Sequence, residues 1–189
     1  MTGFSAYLRQ SAGNIETAAG QPGLAAAADA AVAAIVAAFR AGLPLLVCGN
    51  GGSASDAMHI TGELVGRFLR ERPALRCICL SDNAAVLTAW ANDYSYDTVF
   101  ARQVQAYGMP GGVFWGLSTS GNSANVVQAA EAAKAGGMTV IACTGESGGR
   151  LKAHADILLA APSAHTPRIQ EVHVCLYHYI CEQVEAALA

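Results

Sequence analysis

Five short, continuous apolar runs punctuate the chain, at residues 45–48, 76–80, 112–117, 138–143 and 156–159. Each is four to six residues long and does not alternate with polar positions. Such runs predict strands buried on both faces, the signature of a parallel sheet covered on each side. Longer stretches of helical character separate them: from the glycine turn after residue 48 through Leu69, then 84–91, 98–107, the stretch ending at Ala135, and 167–188. Two further helices precede the first strand, at 4–19 and 24–41, separated by Gln21-Pro22-Gly23. The second is rich in alanine, the strongest helix former. Strands alternating with helices predict an α/β fold, a three-layer α-β-α sandwich around a five-stranded parallel sheet, with extra N-terminal helices. Neither an internal repeat nor a linker interrupts this rhythm. The chain is expected to form one domain over 1–189, with 1–42 serving oligomerisation and 43–189 forming the α/β core.

Composition narrows the setting. Apolar residues make up 53% of the 189 positions and charged residues 13%, about half the usual charged share of about 25%. Scarce surface charge predicts either a membrane or burial against copies of the same chain. The longest apolar candidate, 24–39, is short of the ~20 residues a spanning helix needs and carries Asp29. A homo-oligomer with helical interfaces is the reading that follows. The net charge is −3 and the 11 Lys+Arg are scattered, so no basic run offers a grip on nucleic acid. Residues 1–10 contain no apolar signal core. Six cysteines, Cys48, Cys77, Cys79, Cys143, Cys175 and Cys181, form no C-x-x-C pair and lie mostly inside apolar runs. They read as reduced core residues of a cytoplasmic protein.

Candidate chemistry gathers at the carboxyl ends of the predicted strands, where open α/β sheets bind ligands. After the first strand comes Gly49-Asn50-Gly51-Gly52-Ser53, then a helix on which His59 and Glu63 share one face. Arg67 continues the same +4 series, flanked by apolar rows Ile60, Leu64, Phe68 and Met58, Val65, Leu69. A polar stripe between two apolar ones predicts ionisable groups in a partly buried site. The third strand leads into Ser118-Thr119-Ser120-Gly121-Asn122-Ser123. Hydroxyls at a strand-to-helix junction suit a phosphate, because helix N-termini present free N–H groups. A plain N-cap would need only one of these serines. Another loop, Thr144-Gly145-Glu146-Ser147, follows the fourth strand. The last helix carries Gln170, His173, Tyr177 and His178 among apolar residues. His154, His165 and His173 read as core or surface histidines. Gly49-x-Gly51-x-x-Ala54 also fits a dinucleotide-binding pattern, with Asp82 as its acidic partner. That reading leaves the serine-rich loop and the His59/Glu63 pair without a role.

Taken in order, the glycine turn, His59-x-x-x-Glu63, Asn92-Asp93-Tyr94, the Ser118-to-Ser123 loop and Arg168-Ile169-Gln170-Glu171-x-His173 resemble the phosphoheptose isomerase family of the sugar isomerase (SIS) fold. The resemblance spans nearly the whole chain. It implies conversion of D-sedoheptulose 7-phosphate to D-glycero-D-manno-heptose 7-phosphate, a step toward the heptose of bacterial lipopolysaccharide, in a homotetramer with sites between subunits. By matched position it implies one zinc ion per subunit, held by His59, Glu63, Gln170 and His178. Substrate contacts would fall on Asn50, Gly51, Gly52, Ser53, Glu63, Asn92, Asp93, Ser118, Thr119, Ser120, Ser123 and Gln170. Arg67 would reach a neighbouring subunit's site. Glu63 would act as base and His178 as acid. Two departures stand out: the segment 81–92 is one residue longer than the family spacing, and His165 or Pro167 replaces an acidic residue of some members. Other readings within the fold are a protein that binds the replication initiator, a sugar-phosphate sensor, or an isomerase of another phosphosugar. Proteins of the first kind lack the helix glutamate and alter the Ser-Thr-Ser loop; this chain keeps Glu63, Ser120 and His178.

Overall fold

The computed structural model describes residues 3–189. Helices α1 (Phe4–Ala19) and α2 (Pro22–Arg40) lead into β1 (Leu45–Gly49) and α3 (Gly52–Val65). Strand β2 (Cys77–Cys79) is followed by α4 (Ala84–Asp93), a 3-10 turn at Tyr96–Thr98 and α5 (Val99–Tyr107). Next come β3 (Val113–Leu117), α6 (Ala124–Ala135), β4 (Thr139–Thr144), β5 (Ile157–Ala160) and α7 (Thr166–Leu188). The five strands pair in the order β2-β1-β3-β4-β5, all parallel.

Alternate residues of each strand explain the continuous apolar runs. In β1, Leu45 and Val47 join a core with Leu24, Ile35, Ile60, Leu64 and Ile180 from α2, α3 and α7. Leu46 and Cys48 face the other way, toward Phe100, Val104, Val126 and Ala130 of α5 and α6. Both faces are therefore covered, as a parallel sheet requires. Chain order reverses between β1 and β3: β1 leads outward to β2 on one side and β3 leads to β4 on the other. Such a switch point opens a crevice at the strands' carboxyl ends.

Three expectations change. First, α2 is long and apolar enough to cross a membrane by length and composition. In the fold its Leu24, Ala28, Ala31 and Ile35 instead pack into the core beside β1, β5 and α7. Second, α3 stops at Val65, so Arg67 and Phe68 do not continue its face. Gly66 closes the helix, its N–H bonding to the Gly62 carbonyl. Third, the apolar rows beside His59 are unequal. Ile60 and Leu64 are buried, whereas Met58, Val65 and Leu69 are 45%, 44% and 62% exposed in the single chain. Helix α1 likewise contributes no buried residue. All six cysteines are free; five are buried and Cys175 is exposed.

Candidate active site

The crevice between β1 and β3 brings two loops together, because Gly49 lies directly beside Leu117 in the sheet. Asn50 and Asn125, the latter from the first turn of α6, exchange two amide hydrogen bonds of 2.8 and 2.9 Å. Tyr96 donates its hydroxyl proton to Asn50 Oδ1 at 2.8 Å. Neither Asn125 nor Tyr96 stands out in the sequence, yet together they fix the one side chain of the glycine turn long enough to reach across the crevice.

Beyond β3, Ser118 and Ser123 share a hydrogen bond of 2.9 Å between their hydroxyls. Ser123 occupies the N-cap position of α6 but makes no capping bond, so the capping explanation for this serine-rich stretch does not hold. The loop turns at Gly121, with φ of 67°. A side chain there would also drive into the Gly148 carbonyl, since the loops after β3 and β4 pack backbone to backbone. Thr119 is half-buried and Ser120 exposed, the Ser120 hydroxyl accepting the Asn122 N–H at 3.1 Å. Ser53 is buried, with its backbone and Cβ against Gly49.

On α3, His59 Nε2 lies 2.9 Å from Glu63 Oε1. The i, i+4 spacing delivers this contact directly. From α7, the His178 ring approaches His59 edge-on with 5.1 Å between centroids. One ligand atom each from His59, Glu63 and His178 can be chosen so that all lie within 4.8 Å of one another. Two imidazoles and a carboxylate in that space form a mixed N/O donor set that fits zinc. Gln170, two turns before His178, lays its amide against Gly52, where only a glycine leaves room for it. The site is half open in the single chain: the His59 side chain is 47% exposed and that of Glu63 20%.

Three neighbours tune this cluster. The Tyr177 hydroxyl sits 3.0 Å from His59 Nδ1, and its ring is buried. Burial first, then the Asp56 carboxylate, push the Tyr177 pKa up to about 12, so the hydroxyl keeps its proton at neutral pH. Asp56 lies one turn before His59 and holds a buried Oδ2 without a hydrogen-bond partner. Burial raises its pKa to about 6, against the opposing pull of His59. The polar series 56, 59, 63 along α3 was the available signal for Asp56. Phe68 turns back onto His178 at 5.7 Å between ring centroids.

Other residues singled out in the sequence have partners of their own within the chain. Asn92 and Asp93 close α4 and hydrogen-bond to each other at 2.9 Å. Arg67 is exposed and pairs with Glu71 at 3.1 Å. His173 is a core residue whose Nε2 lies 3.0 Å from the Thr144 carbonyl. Burial lowers its pKa to about 4, so it is neutral and donates that bond.

Comparison with known proteins places this geometry. A SIS domain model matches residues 6–145. The phosphoheptose isomerase of Crocosphaera subtropica is 56% identical over 150 residues, covering 79% of this chain and 76% of that one. The phosphoheptose isomerase of Mycobacterium bovis is 50% identical over 154 residues, covering 82% and 79%. Among solved structures, phosphoheptose isomerase GmhA from Neisseria gonorrhoeae superposes with a TM-score of 0.90 at 38% identity, over 96% of both chains. The Vibrio vulnificus NanR protein complexed with ManNAc-6P has a TM-score of 0.68 at 14% identity, a likeness of fold alone. By its sequence, its sheet order and these relatives, the chain belongs to the phosphoheptose isomerase family of SIS-domain proteins, a family of phosphosugar isomerases.

Proposed function

We propose that this chain converts D-sedoheptulose 7-phosphate to D-glycero-D-manno-heptose 7-phosphate. The observation that carries the reading is the meeting of His59, Glu63 and His178 from two helices, in a fold whose switch-point crevice also holds the serine-rich loop. Phosphate is held by the hydroxyls of Ser118, Thr119, Ser120 and Ser123 and the uncapped start of α6. Asn50, with the Gly51 and Gly52 backbone, Gln170, and Asn92 with Asp93 contact the sugar.

Ketose-to-aldose conversion moves a proton from C1 to C2 through an enediol. Glu63 takes the C1 proton. Its Oε1 faces His59, which leaves Oε2 for this work. His178 gives a proton to O2 as the C2 carbonyl becomes an enol. Glu63 then returns its proton to C2 and His178 recovers one from O1, leaving the C1 aldehyde and both residues as they began. His59, Glu63, Gln170 and His178 would hold one zinc ion. When bound, zinc supplies a Lewis acid for the carbonyl oxygen, worth several kcal/mol of charge stabilisation.

The exposed Met58, Val65 and Leu69, with α1, support a homo-oligomer, read as a tetramer, in which a neighbour covers the open side of each site. Arg67, paired within the chain only with exposed Glu71, turns to serve that neighbour's site. A cytoplasmic location follows from the substrate class.

Incubation with sedoheptulose 7-phosphate, followed by NMR of the sugar, tests the activity. Glu63→Gln and His178→Gln each abolish turnover while leaving folding and particle size intact. Near-normal turnover by either variant sinks the assignment. Purified protein holds about one zinc per subunit and loses activity on chelation; full activity in metal-free protein removes zinc from the mechanism.

A further inference from the structure

Glu185 is the most elaborately bonded carboxylate among the described residues, and the chemistry above does not use it. It sits near the end of α7, with its side chain 1% exposed. Oε1 accepts the Phe68 N–H at 2.8 Å, and Oε2 accepts those of Leu69 and Arg70 at 2.6 and 2.8 Å. Successive N–H groups converging on one anion form a nest. Arg72, its side chain equally buried, places Nε 3.4 Å from Oε1. Burial alone would raise the Glu185 pKa; the three N–H donors and Arg72 outweigh it and hold the pKa below the ordinary value.

This charge pair spans the two helices that carry the site. Arg72 Nη2 donates to the Glu63 carbonyl oxygen at 2.7 Å, and Nη1 donates to those of Gly66 and Pro73 at 3.0 and 3.2 Å. On the other side, Glu185 follows His178 by seven residues, which puts both on one face of α7. Base and acid are thus joined through Glu63 carbonyl, Arg72, Glu185 and α7. The same nest aims the segment after α3 so that Phe68 lies on the His178 ring.

We propose that Glu185 is a positioning residue for the isomerase site, setting the separation of Glu63 and His178 and the seat of Phe68 against His178 through Arg72 and the backbone of 68–70. The proposal rests on the reading of Glu63 and His178 as base and acid. A loop that needed only a stable helix end could cap it locally. Here the anchor comes from the partner helix, more than a hundred residues away in sequence. Misplacing reacting groups by about 1 Å costs on the order of 100-fold in rate, so a brace of this kind governs turnover more than binding.

Glu185→Gln tests it. The amide keeps the shape but turns an NH2 toward N–H donors, so at least one of the three bonds is lost. In the full-length protein, kcat for sedoheptulose 7-phosphate falls about 10- to 100-fold while KM changes less than about threefold. Amide exchange at Phe68, Leu69 and Arg70 quickens at least about tenfold, while amides of β3 and α6 do not change. Arg72→Lys keeps the charge and loses the bridge to Glu63; it reproduces the kcat loss, and carries the test alone should Glu185→Gln not fold. Faster exchange at 68–70 with wild-type kcat, or a loss confined to KM, overturns the proposal and leaves a merely structural brace. Wild-type protein inactive on the sugar would refute the function itself, a different result.

Discussion

Gly52→Ala separates stability from activity at this site. Gly52 is the first residue of α3, and its backbone is not in the left-handed region. Alanine is favoured over glycine in helices by up to about 1 kcal/mol. The three atoms nearest a methyl at Gly52 all belong to the Gln170 side chain, whose amide nitrogen it overlaps. Gln170 is flexible and can swing aside at a cost of about 0.5–1.5 kcal/mol. The two effects nearly cancel, so folding free energy stays within about 1 kcal/mol of wild type. Activity does not cancel. The displaced amide leaves the mouth of the crevice, and a lost hydrogen bond to the sugar is worth about 0.5–1.5 kcal/mol, or about 2- to 10-fold in kcat/KM. Urea unfolding and steady-state kinetics on the sugar phosphate measure the two quantities side by side. A double-mutant cycle with Gln170→Ala assigns the route: if the methyl acts through Gln170, the double variant is no worse than Gln170→Ala alone. Wild-type kcat/KM in Gly52→Ala refutes the reasoning. So does a loss of several kcal/mol of stability, which would mean that the methyl strikes more than Gln170.

Three other outcomes are expected. Tyr177→Phe keeps the buried ring but removes the partner of His59 Nδ1; zinc affinity, measured by competition with a chelating dye, falls about 10- to 100-fold, and an unchanged affinity removes Tyr177 from the site. His173 has its folded pKa near 4, below its ordinary 6.5, so its contribution to stability is complete above pH 6.5 and drains away as pH falls toward 4. The loss totals roughly 3 kcal/mol; urea unfolding from pH 7 to 4 is steeper in pH for wild type than for His173→Gln, and equal slopes contradict it. Gly121→Ala forces a side chain into φ of 67° and onto the Gly148 carbonyl. The conformation alone costs about 1–2 kcal/mol, and the distorted serine loop raises KM for the sugar phosphate; a wild-type KM would detach that loop from phosphate binding.

The strands were legible because each is apolar on both faces, and burial on both sides leaves no polar position to disguise the run. His59 and Glu63 were legible because their contact is made by one helix's own geometry. The error at the end of α3 is more instructive. Periodicity carried the helix through Arg67 and Leu69, since Phe68 continues the Ile60 and Leu64 row and Leu69 the Val65 row. What periodicity does not register is a competing acceptor. In a continued helix the N–H groups of Phe68, Leu69 and Arg70 would bond to carbonyls one turn back. Instead they bond to Glu185, 115 to 117 residues away. Asn125 and Tyr96 escaped notice for the same reason: their partner Asn50 lies 75 and 46 residues distant. Reactive groups on one helix face announce themselves in sequence, while the groups that hold them announce themselves only after folding. The carboxylate that ends α3 early is also the one that seats Phe68 on His178, so the misread helix end and the unforeseen brace have a single cause.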